Sequence, residues 1–247
     1  GATSGAATVT NAIDIVGDIL NVQAVQGLAN VSLPASYTVK LSDTGNVAAA
    51  DLSDIAGKTA GVVDVTGDIT VSGTADQISD AFVASLTAVS VSGSAAVTVL
   101  NAVGAQAGAA ILAATNVTAT FSSGVSDEFA NLYNSGTPAV ETHLSTILTS
   151  DPDANIVISD VSGSISAVDL SALAAANTTG SVTVSGTVTV TGTQSAVTAA
   201  VVTGDVVAAN ASVAIGDVAT TNIDATALTA IAAKVASVSV SNAVNIQ

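Results

Sequence analysis

Cysteine is absent from the 247 residues, and so are methionine, tryptophan and arginine. Without cysteine the chain has no disulfide and no thiolate for a metal or a nucleophilic mechanism, and its redox compartment cannot be read from bridges. Three phenylalanines and two tyrosines are too few for a thick interlocking core, in which aromatics normally dominate. Apart from one histidine the only cationic side chains are Lys40, Lys58 and Lys234, against nineteen acidic residues, so the formal net charge is −16. Such a surface repels phosphate backbones, which bind by releasing counterions to Lys and Arg. Nucleic acid and anionic membrane are poor partners, whereas divalent cations and self-association stay open. The longest apolar runs, such as GAAILAAT at 108–115, fall well short of the ~18 residues that a membrane span needs, so no membrane insertion is expected. With no methionine present, Gly1 is expected to be a processed terminus or the edge of a fragment, and the removed part has room for a targeting segment.

What the chain does have is alanine and valine, set out with unusual regularity. SVTVSGTVTVTG at 181–192 alternates valine with Ser or Thr on both sides of a glycine. Strict alternation is the pattern of a strand with one buried and one wet face, so Val182, Val184, Val188 and Val190 should point inward. Thr183, Ser185, Thr189 and Thr191 should then point out. IDIVGDI at 13–19, VDVTGDI at 63–69, VTVSGTV at 182–188 and VSVSNAV at 238–244 share the unit, and VSVSG at 89–93 opens the same way. The Gly or Asn at its fifth place suits a corner, where tolerance of positive φ is useful. The unit is strand, corner, strand.

Between these units lie short helical patterns. ADLSDIAGKTAG (50–61), VDLSALAAANTTG (168–180) and TALTAIAAKVA (226–236) open on Leu, two residues and Ile or Leu, then run through alanines. TADQISDAFVASL (74–86), AQAGAAILAAT (105–115), TPAVETHLSTIL (137–148) and TQSAVTAAVVT (193–203) fill the gaps, with Thr74, Thr137 and Thr193 placed as N-caps. Helices of two or three turns are marginal alone and must lean on neighbours. Short helix and extended pair alternate about seven or eight times, a period in the range of repeat proteins. The expected fold is α/β or mainly β, a parallel solenoid of strand-corner-strand plus short-helix coils over 1–247 as a single elongated repeat domain. A doubly wound globular α/β domain has the same order of elements and is the rival.

Residues 121–160 break the rhythm. They hold two of the three phenylalanines, Tyr133, the only histidine, both glutamates and two of the three prolines. An insertion or irregular coil is expected there, with Ser126 capping a short helix whose Phe129 and Tyr133 share a face, either as packing or as an adhesive patch. His143, alone and without a GxSxG elbow, makes no catalytic triad and no zinc site. Asp151, Asp153 and Asn155 in DPDANIVISD alternate like the opening of a calcium loop, so calcium is the one cofactor to consider. Ile156 and Ser162, however, stand where an EF-hand has Gly and Glu, and a turn at Pro152 explains the same letters. Asp14 with Asp18 and Asp64 with Asp68 recur at matching places, and stacked outward carboxylates should repel unless screened or bridged. Asn30, Asn116, Asn177 and Asn210 each open an N-glycosylation sequon.

The run VSGTADQISDAFVASLTAVSVSGSAAVTV at 71–99, with DLSDIAGKTAG and DLSALAAANTTG, resembles the repeats of large secreted bacterial surface proteins of the S-layer, giant-adhesin and cyanobacterial cell-surface types. The resemblance lies in pattern and composition and covers most of the chain outside 121–160. The GGxGxD calcium nonapeptides common in those families do not occur here. The resemblance implies export, an extracellular or cell-surface location and no catalysis. The residues point the same way, to a structural repeat protein of a layer, fibre or filament that polymerises with itself or adjoins further repeats end to end. The alternative is a surface-binding module that meets ice, mineral or cell-surface glycans through outward Ser/Thr rows, with Thr183, Thr189 and Thr191 as its contact residues.

Overall fold

The computed structural model describes residues 5–84 and 87–247. The valine-rich segments are strands, and their alternation is realised residue by residue. Val182, Val184, Val188 and Val190 are buried, whereas Thr183, Thr189 and Thr191 are half-buried and Ser185 is exposed. The architecture is mixed α/β, with parallel strands gathered in several sheets and short helices between them.

Contacts divide the chain into two compact units, Gly1–Asn101 with Ala107–Ser122, and Ala102–Gln106 with Ser123–Gln247. In the first unit one sheet stacks Asp14–Gly17, Thr38–Leu41, Val63–Val65 and Val89–Val91, all parallel. A second stacks Gly45–Ala48, Ile69–Gly73, Ala95–Val99 and Val117–Phe121. Asp14 stands beside Thr38 and Val39 beside Val63, a step of 24 residues each time. The second unit repeats the plan. Val125–Asp127, Ile156–Ile158 and Val182–Val184 form one parallel sheet. Ser164–Ser166, Thr189–Gly192, Ala208–Ile215 and Val235–Val240 form the other.

Because register repeats, like sits on like. Inward rows such as Ile15, Val39, Val63 and Val89 stack valine and isoleucine directly above one another, and Val39 and Val63 are fully buried. Each buried Val or Ile contributes roughly 1.5–3 kcal/mol. Helices close the interior from the side: Ala49–Ala56 buries Leu52 and Ile55, and Ala167–Ala176 buries Leu170 and Leu173. Thr74 and Thr193 are N-caps, their hydroxyls accepting from the Gln77 and Ala196 amides, and Gln77 completes a capping box. The helices they start, Ala75–Ser79 and Gln194–Thr198, each widen into a π turn, Asp80–Ala84 and Ala199–Thr203. The last two positions of the helix expected over 74–86 lie outside the described residues.

Three local expectations are corrected. The corner glycines Gly67, Gly93 and Gly186 are required by close approach, not by positive φ. A Cβ at Gly93 would lie 2.3 Å from the Gly67 carbonyl oxygen, and one at Gly186 would lie 1.8 Å from that of Asp160. Successive turns of the chain meet backbone to backbone at these corners, and none of these glycines has a positive φ. Thr137 caps no helix: it sits in the turn of an antiparallel hairpin, Tyr133–Asn134 with Ala139–Val140, where Asn134 Oδ1 accepts from the Gly136 and Thr137 amides. The helix that follows is Thr142–Ser150, with Glu141 at its N-cap. Ser126 lies within the Val125–Asp127 strand, and the N-cap of the Phe129–Leu132 helix is Glu128. Val125 pairs with Ile156, a step of 31 residues, and the hairpin takes up the extra length.

Candidate functional site

The outward face of the sheets is where a binding surface was expected, and many of its hydroxyls are committed to the fold. Each of Thr66, Ser122, Ser185 and Ser241 sends both its backbone N–H and its side-chain O–H to one carbonyl of the strand that precedes it in the stack. For Ser185 the acceptor is Ile158 O, at 3.0 Å from N and 2.9 Å from Oγ. Thr120, Thr187, Thr191 and Ser239 add hydroxyl bonds of the same kind to Val97, Val161, Ile165 and Val213. A carbonyl has two lone pairs, so it takes both donors. In all of these bonds the donor belongs to the higher-numbered coil.

Thr183, Thr189 and Thr191 are not one array. Thr183 lies in the sheet of Val182–Val184, beside Val157 and bridged to Val207, so both its neighbours in the row are apolar. Thr189 and Thr191 lie across the Gly186 corner in the other sheet. Thr189 sits in the row Ser164, Thr189, Ser212, Ser237, in which the Ser237 and Ser212 hydroxyls are 3.0 Å apart. Thr191 is flanked by Ser166 and Ala214, and its hydroxyl donates to Ile165 O.

The carboxylates are also absorbed. Asp14 and Asp64 do not stack as like charges, because Lys40 stands in register beside Asp64 on the coil between them and reaches Asp14 Oδ2 at 3.2 Å. The Thr38 hydroxyl and then the Lys40 ammonium hold the Asp14 carboxyl below the ordinary carboxylate range. Asp64 accepts from the Ser90 and Ser92 hydroxyls, and Asp68 from the Ser94 amide and hydroxyl. Asp18 is the N-cap of the Ile19–Gln26 helix. Lys58 and Lys234 pair with Asp54 and Asp205 at the surface, contacts worth about 0–1 kcal/mol.

A pattern that sequence reasoning missed runs between coils. The first amide of a helix donates to an Asp or Asn that ends or follows a strand 22–31 residues later: Ile19 to Asp43, Ala75 to Asn101, Ala105 to Asp127, Phe129 to Asp160 and Gln194 to Asp217, all within 2.9 Å. A carboxylate or amide oxygen there satisfies an orphan helix donor and faces the positive end of the helix dipole. The only sequence signal is an Asx at or just past the end of a strand, 22–31 residues beyond the helix start.

Asp151, Asp153 and Asn155 occupy a turn instead of a shared centre. Asp151 is buried at the end of the Thr142–Ser150 helix and its carbonyl accepts from the Ala154 amide, while Asp153 is exposed. Asn155 Oδ1, the atom a cation would need, accepts from the Ser181 amide and hydroxyl at 3.0 and 2.7 Å. Among the described residues no three His, Cys, Asp or Glu are grouped to hold a metal ion.

The irregular coil carries a cleft of about 340 Å³ lined by Gln106, Asp127, Ala130, Asn131, Glu141 and His143. Asp127 is fully engaged there by the Ala105 and Glu128 amides and Asn131 Nδ2, and His143 is exposed. Phe129 and Tyr133 are buried with ring centroids 5.9 Å apart, so they pack the insertion and form no adhesive patch. Of the sequon asparagines, Asn177 is buried and Asn116, Asn177 and Asn210 each donate Nδ2 to a backbone carbonyl. Asn30 is exposed.

No helix among the described residues is long and apolar enough to cross a membrane. Compared with protein-family models, curated proteins and solved structures, the chain matches none significantly.

Proposed function

We propose that the chain is a parallel α/β solenoid serving as a non-catalytic structural repeat protein of an extracellular surface layer, fibre or filament, assembling end to end. The observation that carries this is the stitched register: strand order in each sheet follows chain order without reversal, and hydroxyls bind each coil to the one before it. A doubly wound domain would reverse strand order at a switch point. Ser and Thr spent on coil cohesion, carboxylates spent on helix starts and lysines spent on ion pairs leave chemistry suited to holding shape and little suited to turnover. The reading calls for no cofactor, and its partner is the protein itself or adjoining repeats. Negative-stain microscopy with light scattering, across salt and calcium concentrations, should show filaments, sheets or rods. A stable monodisperse monomer under all those conditions overturns it.

A second reading has one row in its favour, Ser164, Thr189, Ser212 and Ser237, which carries a hydroxyl on all four rungs. A surface-binding module for glycans or ice would use that row. Glycan-array binding or thermal hysteresis that vanishes in Thr189→Leu supports it, and neither property in the unmodified chain dismisses it.

A further inference from the structure

The Val235–Val240 strand ends its sheet, and its outer edge has no strand beside it among the described residues. Ser241 N and the Ser239 and Ser241 hydroxyls point down to the Ala208–Ile215 strand. By strand alternation the N–H and C=O groups of Val238 and Val240 therefore point away from it. One rung down, the equivalent carbonyls of Val213 and Ile215 are those that accept the Ser239 and Ser241 hydroxyls. The inward side chains tell the same story. Val213 and Ile215 are buried, whereas Val238 and Val240, stacked on them, are only half-buried, and Ile246 on the neighbouring short strand is 62% exposed. The strand VASVSV carries no charge.

In the first unit the edge strand of the sheet that begins at Asp14 is built differently. Its outer strand is Asp14–Gly17, in which Gly17 O accepts from the Ser42 amide, so the Asp14 and Val16 backbone groups face away from the sheet. The outward side chains there are a carboxylate and a valine, neither of which donates a hydrogen bond. A carboxylate on an edge is a recognised deterrent to strand addition.

Resting on the reading of a stitched repeat protein, we infer that the Val235–Val240 edge is a strand-addition site. It takes an uncharged extended segment in which β-branched apolar residues alternate with Ser or Thr, joined in parallel. The incoming amides would meet the Val238 and Val240 carbonyls, its hydroxyls would share them, and its apolar residues would cover the half-exposed valines. Main-chain bonds supply affinity in such additions and alternate side chains supply specificity. The Asp14–Gly17 edge brings no hydroxyl and is not the occupant.

The test uses the full chain and a labelled synthetic peptide, SVTVSGTVTVTG, which is the chain's own 181–192 segment. Saturable binding by fluorescence anisotropy is expected, with amide hydrogen exchange slowed at Val238 and Val240 and unchanged at Asp14 and Val16. A peptide with Val182, Val184, Val188 and Val190 replaced by Ser should not bind, and one with Thr183, Ser185, Thr189 and Thr191 replaced by Ala should bind about tenfold more weakly. Val238→Pro, which removes one outward N–H from an edge where proline is tolerated, should abolish binding while circular dichroism stays unchanged. No peptide binding by the unmodified chain, or protection at Asp14 and Val16 instead, overturns the inference without needing any variant. Slowed exchange at both edges as chain concentration rises, with no peptide effect, would show a second copy seated by its Asp14–Gly17 edge; that leaves end-to-end assembly standing and removes this inference. Peptide binding by a chain that never assembles would do the reverse.

Discussion

Gly186 shows how little room a single position has. Its Cα faces the Asp160 carbonyl so closely that any side chain must push two coils apart. Gly186→Ala is expected to destabilise the fold by about 1–3 kcal/mol, the usual cost of forcing atoms into a packed site, seen as a lower midpoint in urea denaturation. An unchanged midpoint would mean the corner relaxes freely. Asp14 offers a second check. The Thr38 hydroxyl and the Lys40 ammonium lower its carboxyl below the ordinary value. A carboxyl lowered by folding contributes stability above its unfolded value and loses it as pH falls through the folded one. Carboxyl carbon NMR should show Asp14 titrating below an ordinary aspartate. Thr38→Val and Lys40→Met should each move that titration upward.

At the scale of elements, the helix starts depend on the next coil. Asp160 Oδ2 accepts the Phe129 amide at 2.6 Å, while Glu128 at the N-cap supplies no side-chain cap of its own. Asp160→Ala should cost about 0.5–2 kcal/mol, the range for a lost cap, and should speed hydrogen exchange at the Phe129 amide. Equal exchange in both proteins would show the cap to be idle. Strands and helices were legible in the letters because burial follows period: the Val182 to Val190 alternation and the Leu52, Ile55 and Leu170, Leu173 spacings each name a buried face. The caps were not, since Asp160 and Phe129 are far apart in sequence and meet only after coils stack. Nor was the role of the hydroxyls. Ser185 reads as a wet outward residue on any one-sided strand, and only the register with Ile158 shows where its proton goes. The π turns at Asp80–Ala84 and Ala199–Thr203 carry the same letters as an ordinary helix. Nor was it legible that Thr183 stands apart from Thr189 and Thr191, because a corner puts neighbours in sequence on different sheets.

At the scale of the whole molecule, a formal charge of −16 against three lysines sets the response to solvent. Asp14, Asp54 and Asp205 have a lysine partner, and the surplus negative charge repels itself. Raising sodium chloride from about 10 mM to about 0.5 M shrinks the screening length several-fold and should raise the melting temperature. A flat or falling melting curve would mean that the carboxylates are already neutralised by their hydrogen bonds. The single direction of the Ser and Thr hydroxyl bonds between strands has a consequence in time. A ribosome releases the lower-numbered strand first, so each new strand arrives with hydroxyls for carbonyls already in place, while the helix starts wait for the Asp or Asn that follows 22–31 residues later. A fragment cut from the front keeps every such acceptor it needs, whereas one cut from the back begins on a layer of hydroxyls with nothing beneath. Truncation from the two ends should therefore be unequal, with front fragments retaining more protected amides per residue than back fragments of the same length.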